Sequence, residues 1–145
     1  MYYKLIAGEI IGKKSPVPVH SPLYFLEIKT ENPQKINIGE HLYGEVAMYV
    51  VEGTVKIEGN DYGSKQLLIA KNANLCEFET NGETHILLFG GEPFEEERFM
   101  FWNFVNSDKE IIEDAKQNWH NQNLEAFPKI PGDDVEFVPL PKAIL

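Results

Sequence analysis

Four histidines, His20, His41, His85 and His120, and one cysteine, Cys76, are the residues of this 145-residue chain that could hold a metal or move a proton near neutral pH. Most of them have a simpler reading. His20 lies in a Pro18-Val19-His20-Ser21-Pro22 stretch, where a surface loop is expected. His120 falls near the end of a helical pattern, where an imidazolium meets the negative end of the helix dipole and serves stability. Cys76 reads as a small apolar core residue. The run Glu95-Glu96-Glu97 follows Pro93 in a polar loop, and such runs are solvated instead of paired for acid–base work. No Gly-x-Ser-x-Gly elbow, phosphate loop or dinucleotide fingerprint occurs. The chemistry therefore falls on His41, Glu45 and His85.

What must position them is a domain of ordinary size. A chain this long buries enough surface to need no disulfide or structural metal. Its formal net charge is −10, which repels phosphate backbones and anionic lipid. Direct nucleic-acid binding and membrane docking are not expected. The longest apolar runs, Val46–Val51 and His85–Phe89, have strand length and fall far short of a membrane span. A single cysteine fits a reducing compartment, and the N-terminal residues lack the pattern of a secretory leader. A cytoplasmic location is the expectation.

The pattern from residue 1 to about 105 is strand after strand. Runs rich in β-branched and aromatic residues fall at Tyr2–Ile6, Leu23–Ile28, Val46–Glu52, Thr54–Glu58, Gln66–Ala70, Leu75–Glu79, Thr84–Phe89 and Phe99–Val105. Glu58-Gly59-Asn60-Asp61 and Thr80-Asn81-Gly82-Glu83 read as tight hairpin turns, and Gly53 as a bend. Ser107-Asp108-Lys109-Glu110 reads as a capping box that opens one helix, with Ile111, Ile112, Ala115 and Trp119 on its apolar face. The Pro-rich Phe127–Gly132 stretch reads as an extended strap, and Val135–Val138 as a segment suited to a sheet edge. Within Phe99–Val105, alternation sets Phe99 and Phe101 on one face and Trp102 and Phe104 on the other, and one such face would pack under the helix or against a second subunit. Many short strands at regular spacing mean a sandwich or barrel.

Four segments carry a family resemblance. Met48-Tyr49-Val50-Val51-Glu52-Gly53 resembles the close of the first conserved cupin block. Leu87-Leu88-Phe89-Gly90-Gly91-Glu92-Pro93 resembles the strand end of pirin C-terminal domains. The segments around Phe101–Ser107 and Phe127–Pro141 resemble the tail of bacterial pirin-like proteins. The expected fold is all-β: a cupin jelly-roll barrel over about residues 1–105, a helix over about 108–120 and a strap over about 124–145, together one domain. The resemblance implies two such barrels in the family, with a metal, usually iron, in the N-terminal one; the family's activities include quercetin dioxygenase chemistry and regulatory partner binding.

The same resemblance supplies a ligand block, His-x-His-x-x-x-Glu, with a third histidine from a later strand. Aligned on Tyr49–Gly53, His41 takes the second histidine position and Glu45 the carboxylate position. Gly39 stands where the first histidine belongs. The third ligand falls on His85 in one alignment and near Leu75 or Cys76 in the other. One reading is thus a three-ligand iron site of His41, Glu45 and His85 serving a small oxygenase. The other is a non-catalytic barrel that binds a protein partner, a small molecule or a second copy of itself. A metal-free isomerase would have only His41 and Glu45 as its base and orienting carboxylate.

Overall fold

The computed structural model describes residues 1–70, 75–133 and 136–141. Their strands, in chain order, are β1 (Tyr2–Ile10), β2 (Lys13–Lys14), β3 (Leu23–Thr30), β4 (Gln34–Asn37), β5 (Glu45–Glu52), β6 (Thr54–Ile57), β7 (Asn60–Gly63), β8 (Gln66–Ile69), β9 (Glu77–Thr80), β10 (Thr84–Gly91), β11 (Phe99–Phe101) and β12 (Phe104–Asn106). A helix, α1 (Lys109–His120), follows. The chain forms two compact units, Met1–Pro93 and Phe94–Leu145.

The first unit is built from two antiparallel sheets, ordered β2-β1-β3-β10-β5-β8 and β4-β9-β6-β7. Period-two alternation explains the core between them. In β3, Tyr24, Leu26, Ile28 and Thr30 are buried, while the residues between them are not. Ile86 and Leu88 of β10 stand level with Ile28 and Leu26, and with Val50 and Met48 of β5. The smaller sheet answers with Ile36, Phe78, Val55 and Ile57.

Turn chemistry fixes the register. Ile57 pairs with Asn60 across Glu58 and Gly59, both at positive φ (49° and 82°), the two-residue turn whose twist suits a hairpin. Asn60 and Asp61, expected in that turn, belong instead to β7. The Asn81-Gly82 turn does not make a hairpin either. It carries the chain from β9 in one sheet to β10 in the other, and the Gly82 carbonyl accepts from the Thr30 hydroxyl at 2.7 Å. Gly53 makes another such crossing, from β5 to β6, at φ 82°. A side chain there would start 2.5 Å from the Glu83 carbonyl oxygen, so this bend needs glycine.

The second unit holds a hairpin, the helix and the chain beyond it. Phe99–Val105, expected as one strand, is folded back on itself: β11 pairs with β12, and Trp102 in the turn takes φ 52°. The register makes Phe101 and Phe104 cross-strand partners that share a face, not the opposite faces expected of one strand, and the turn brings together Trp102 and Phe104. Both meet Trp119 of α1, at ring-centroid distances of 5.4 and 6.4 Å. Phe99 and Phe101 lie beneath the Lys109 and Lys116 ammonium groups, at 4.3 and 4.5 Å.

The helix cap is Asp108, whose carboxylate accepts from the Glu110 amide at 2.8 Å, in place of the expected Ser107. The Asn106 side chain explains the one-residue shift, because it accepts from the Asp108 amide at 2.9 Å and turns the chain there. Of the expected apolar helix face only Ile112 is fully buried, while Ile111 is 51% exposed. Phe127–Pro128–Lys129 is non-helical, and Ile130 bridges to Asp133 around a turn. Val135 lies outside the described residues, and Glu136, Phe137 and Val138 form no strand. No helix among the described residues is long and apolar enough to cross a membrane.

Leu88 has 0% exposure between the two sheets. Leu88→Ala should cost about 2–5 kcal/mol of stability, read as a lower urea midpoint at unchanged slope; a loss within error of zero would mean that the sheets do not pack as described.

Candidate functional site

Gly39, where the ligand block would have its first imidazole, and Cys76, one of the two residues near which one alignment sets the third, are in contact. The β4–β9 ladder pairs Asn37 with Glu77. One step further the Ile38 amide donates to the Cys76 carbonyl at 2.9 Å. A short 3-10 turn, Gly39–His41, begins there. A Cβ placed on Gly39 would stand 2.5 Å from Cys76 Cβ and 2.8 Å from its Sγ, well inside the ~3.5 Å at which carbon atoms meet. Glycine at 39 is thus what lets Cys76 occupy this place. Cys76 is half-buried, less than its expected core role.

Tyr24 lies against the same region. It is 1% exposed, and its ring meets Tyr43 edge-on at 5.0 Å. Its hydroxyl sits over the Gly90 backbone, where a Cβ would come within 2.5 Å of it. That hydroxyl has no hydrogen-bond partner. Burial first, then the neighbouring Tyr43 phenol and Cys76 thiol, push its pKa up to about 12; a smaller opposing influence from the Tyr43 backbone falls short of hydrogen-bond geometry.

The three expected ligands stand elsewhere. His41 ends the 3-10 turn, exposed, with Nε2 3.5 Å from the Glu40 carboxylate. Glu45 is exposed at the start of β5, level with Gly91. His85 lies at the other end of the same ladder, level with Glu52, on the face of the sheet turned away from the core. Six residue steps separate Glu45 and His85, roughly 20 Å at the rise of a strand. No single ion bridges that span. Among the described residues, no three His, Cys, Asp or Glu side chains come together in a way that could hold a metal. The iron that the fold family implies does not fit this donor set.

His85 has a different partner, one that strand spacing alone could not identify. Its Nε2 is 2.9 Å from Glu27 Oε1, close enough to pair though not aligned for a directed hydrogen bond. Lys29 Nζ is 3.0 Å from the same oxygen. The Lys29 hydrogen bond above all, helped by the Lys29 and His85 charges, holds the Glu27 carboxyl below its usual range against partial desolvation. His20 and His120 are exposed. Glu95, Glu96 and Glu97 are exposed too, with Glu96 3.3 Å from Arg98.

The second unit carries a cavity of about 460 Å³ walled by Trp119, Phe127 and Phe137, with Asp133 and Glu136 among its lining. Trp119 Nε1 donates to the Val138 carbonyl at 2.9 Å. The aromatic types were visible in the sequence. Their convergence was not, because it depends on how the chain after the helix returns.

The first unit, two antiparallel sheets closed around one core, is a barrel of the cupin class. Residues 25–125 match the family model of the pirin C-terminal cupin domain, and the chain belongs to that family. A pirin-like protein of Caulobacter vibrioides is 36% identical over 140 residues, covering 96% of this chain and 46% of the relative. The crystal structure of a quercetin 2,3-dioxygenase from Acinetobacter baumannii superposes with a TM-score of 0.81 at 26% identity, over 97% of this chain and 47% of that one. Another quercetin 2,3-dioxygenase structure from the same organism gives 0.65 at 22% identity, over 82% and 42%, a likeness of fold. The chain thus spans about half the length of the relatives it matches.

Tyr24→Phe removes a hydroxyl that bonds to nothing, so stability near neutral pH should change by no more than about 1 kcal/mol. With the folded-state pKa above the ordinary 10, the tyrosine's contribution is fully present below pH 10 and is lost as pH rises through about 12. The Phe variant should therefore lose less stability than the parent between pH 9 and 12 in chemical denaturation; identical profiles would contradict the buried, unpartnered phenol.

Proposed function

We propose that this chain is a non-catalytic cupin barrel, a module that binds a protein partner. The observation that carries this reading is the contact between Gly39 and Cys76. Two positions suited by the family pattern to metal ligands hold a residue with no side chain and a thiol packed against its backbone. His41, Glu45 and His85 are too far apart to replace them. Binding is supported by the outward face of the larger sheet, which presents aromatic and aliphatic side chains where a solvated face would alternate to polar ones. The cavity of the second unit is the place for a small-molecule ligand, if one is bound.

Dioxygenase chemistry is the second reading, and the quercetin 2,3-dioxygenases of the same fold favour it. In that reading His41, Glu45 and His85 would hold iron in a rearranged structure. Against it, the resemblance sets the family's metal in the N-terminal barrel, whereas the match here is to the C-terminal domain.

Elemental analysis separates the two. Protein made in iron-supplemented medium and desalted should carry far less than one transition-metal ion per chain, and His41→Ala should leave that content unchanged. Stoichiometric iron in the parent, lost in His41→Ala, would overturn the binding-module reading in favour of the oxygenase.

A further inference from the structure

The larger sheet is apolar on both faces. Strand register puts Phe25 of β3, Leu87 and Phe89 of β10, Tyr49 of β5, and Leu67 and Ile69 of β8 on the side away from the core. Phe25 and Phe89 meet edge-on at 5.8 Å. Leu67 and Ile69 are 54% and 69% exposed. A contiguous patch of this kind marks an interaction surface.

We infer that this face pairs with the same face of a second copy of the chain, giving a two-fold dimer in which the two sheets stack. The inference rests on the binding-module reading and names its partner. Charge is the first reason. A chain of net charge −10 repels its copy, so a self-pairing surface must be close to neutral. On this face Lys4 and Lys29 stand level with or beside Glu27, and His85 is level with Glu52. Glu27 is already paired with Lys29 and His85. Glu9 stands level with Lys14, so with Glu45 at the start of β5 as its further carboxylate the face is close to neutral, and most of the acidic excess lies elsewhere on the chain.

Size is the second reason. The five strands from β1 to β8 span roughly 19 Å across, and the eight-residue β3 and β10 run about 27 Å. Their product, about 500 Å² before side-chain relief, is of the order of a small, reversible interface, against ~800 Å² per partner for a standard one. Two twisted sheets stacked this way lie about 10 Å apart with their side chains interleaved.

Sedimentation equilibrium from low micromolar to millimolar chain tests the proposal. The expected mass is twice 16.6 kDa, falling to a single chain in Leu67→Lys/Ile69→Lys, whose side chains are exposed and can change without disturbing the core. Phe89→Glu should do the same, with circular dichroism confirming the fold. A parent that sediments as a monomer throughout overturns the inference, and so does a folded Leu67→Lys/Ile69→Lys variant that keeps the parental dimer affinity. Iron content measured on the same sample separates the failures: an iron-free monomer sinks only this pairing, whereas an iron-loaded chain sinks the binding-module reading itself.

Discussion

A close approach in the barrel wall, the Gly39 backbone against the Cys76 side chain, governs what the interior can hold. It arises because the β4–β9 ladder continues through the Ile38–Cys76 hydrogen bond and brings the two segments side by side just as the 3-10 turn begins. A side chain at position 39 would have to displace Cys76. The buried Tyr24 ring and the half-buried Tyr43 ring complete the local packing. A region that could have been a polar, open coordination sphere is a tyrosine–thiol packing site with a single unsatisfied hydroxyl.

Alternation does the rest. The same period of two that sends Tyr24, Leu26 and Ile28 inward sends Phe25, Glu27 and Lys29 outward, and the pattern repeats in β10 and β5. A solvent-facing sheet is expected to be polar on one side. This one has most of its polar residues gathered around Glu27 at one end, Glu45 at the other, and apolar residues between them. Its inner face accounts for the core of the first unit, and its outer face carries apolar side chains that this core does not use.

The barrel strands were legible wherever β-branched and aromatic residues cluster, as in Leu23–Ile28 and Thr84–Phe89, because burial of one face demands the alternation that reveals them. Gln34–Asn37 was not, since Ile36 is its only apolar residue. Asn60–Gly63 was hidden because turn-forming residue types sit in the strand beside the true turn. Phe99–Val105 passed for one strand because nothing in Trp102-Asn103 announces a turn at positive φ. In the site, the loss of a ligand at Gly39 could be read directly from the family pattern. The position of His85 could not, because facing depends on which strand it joins and in what register. Its pairing with Glu27, 58 positions away in the chain, is a product of the β3–β10 ladder alone.

Cobalt(II) titration followed by visible absorption tests the central claim most directly, because bound cobalt reports both stoichiometry and coordination by nitrogen, oxygen or sulfur. The account predicts spectra that stay those of the hydrated ion, with no saturation at one equivalent. Intense ligand-field bands that saturate at one ion per chain would show that the side chains of this barrel do converge on a metal, and would contradict it.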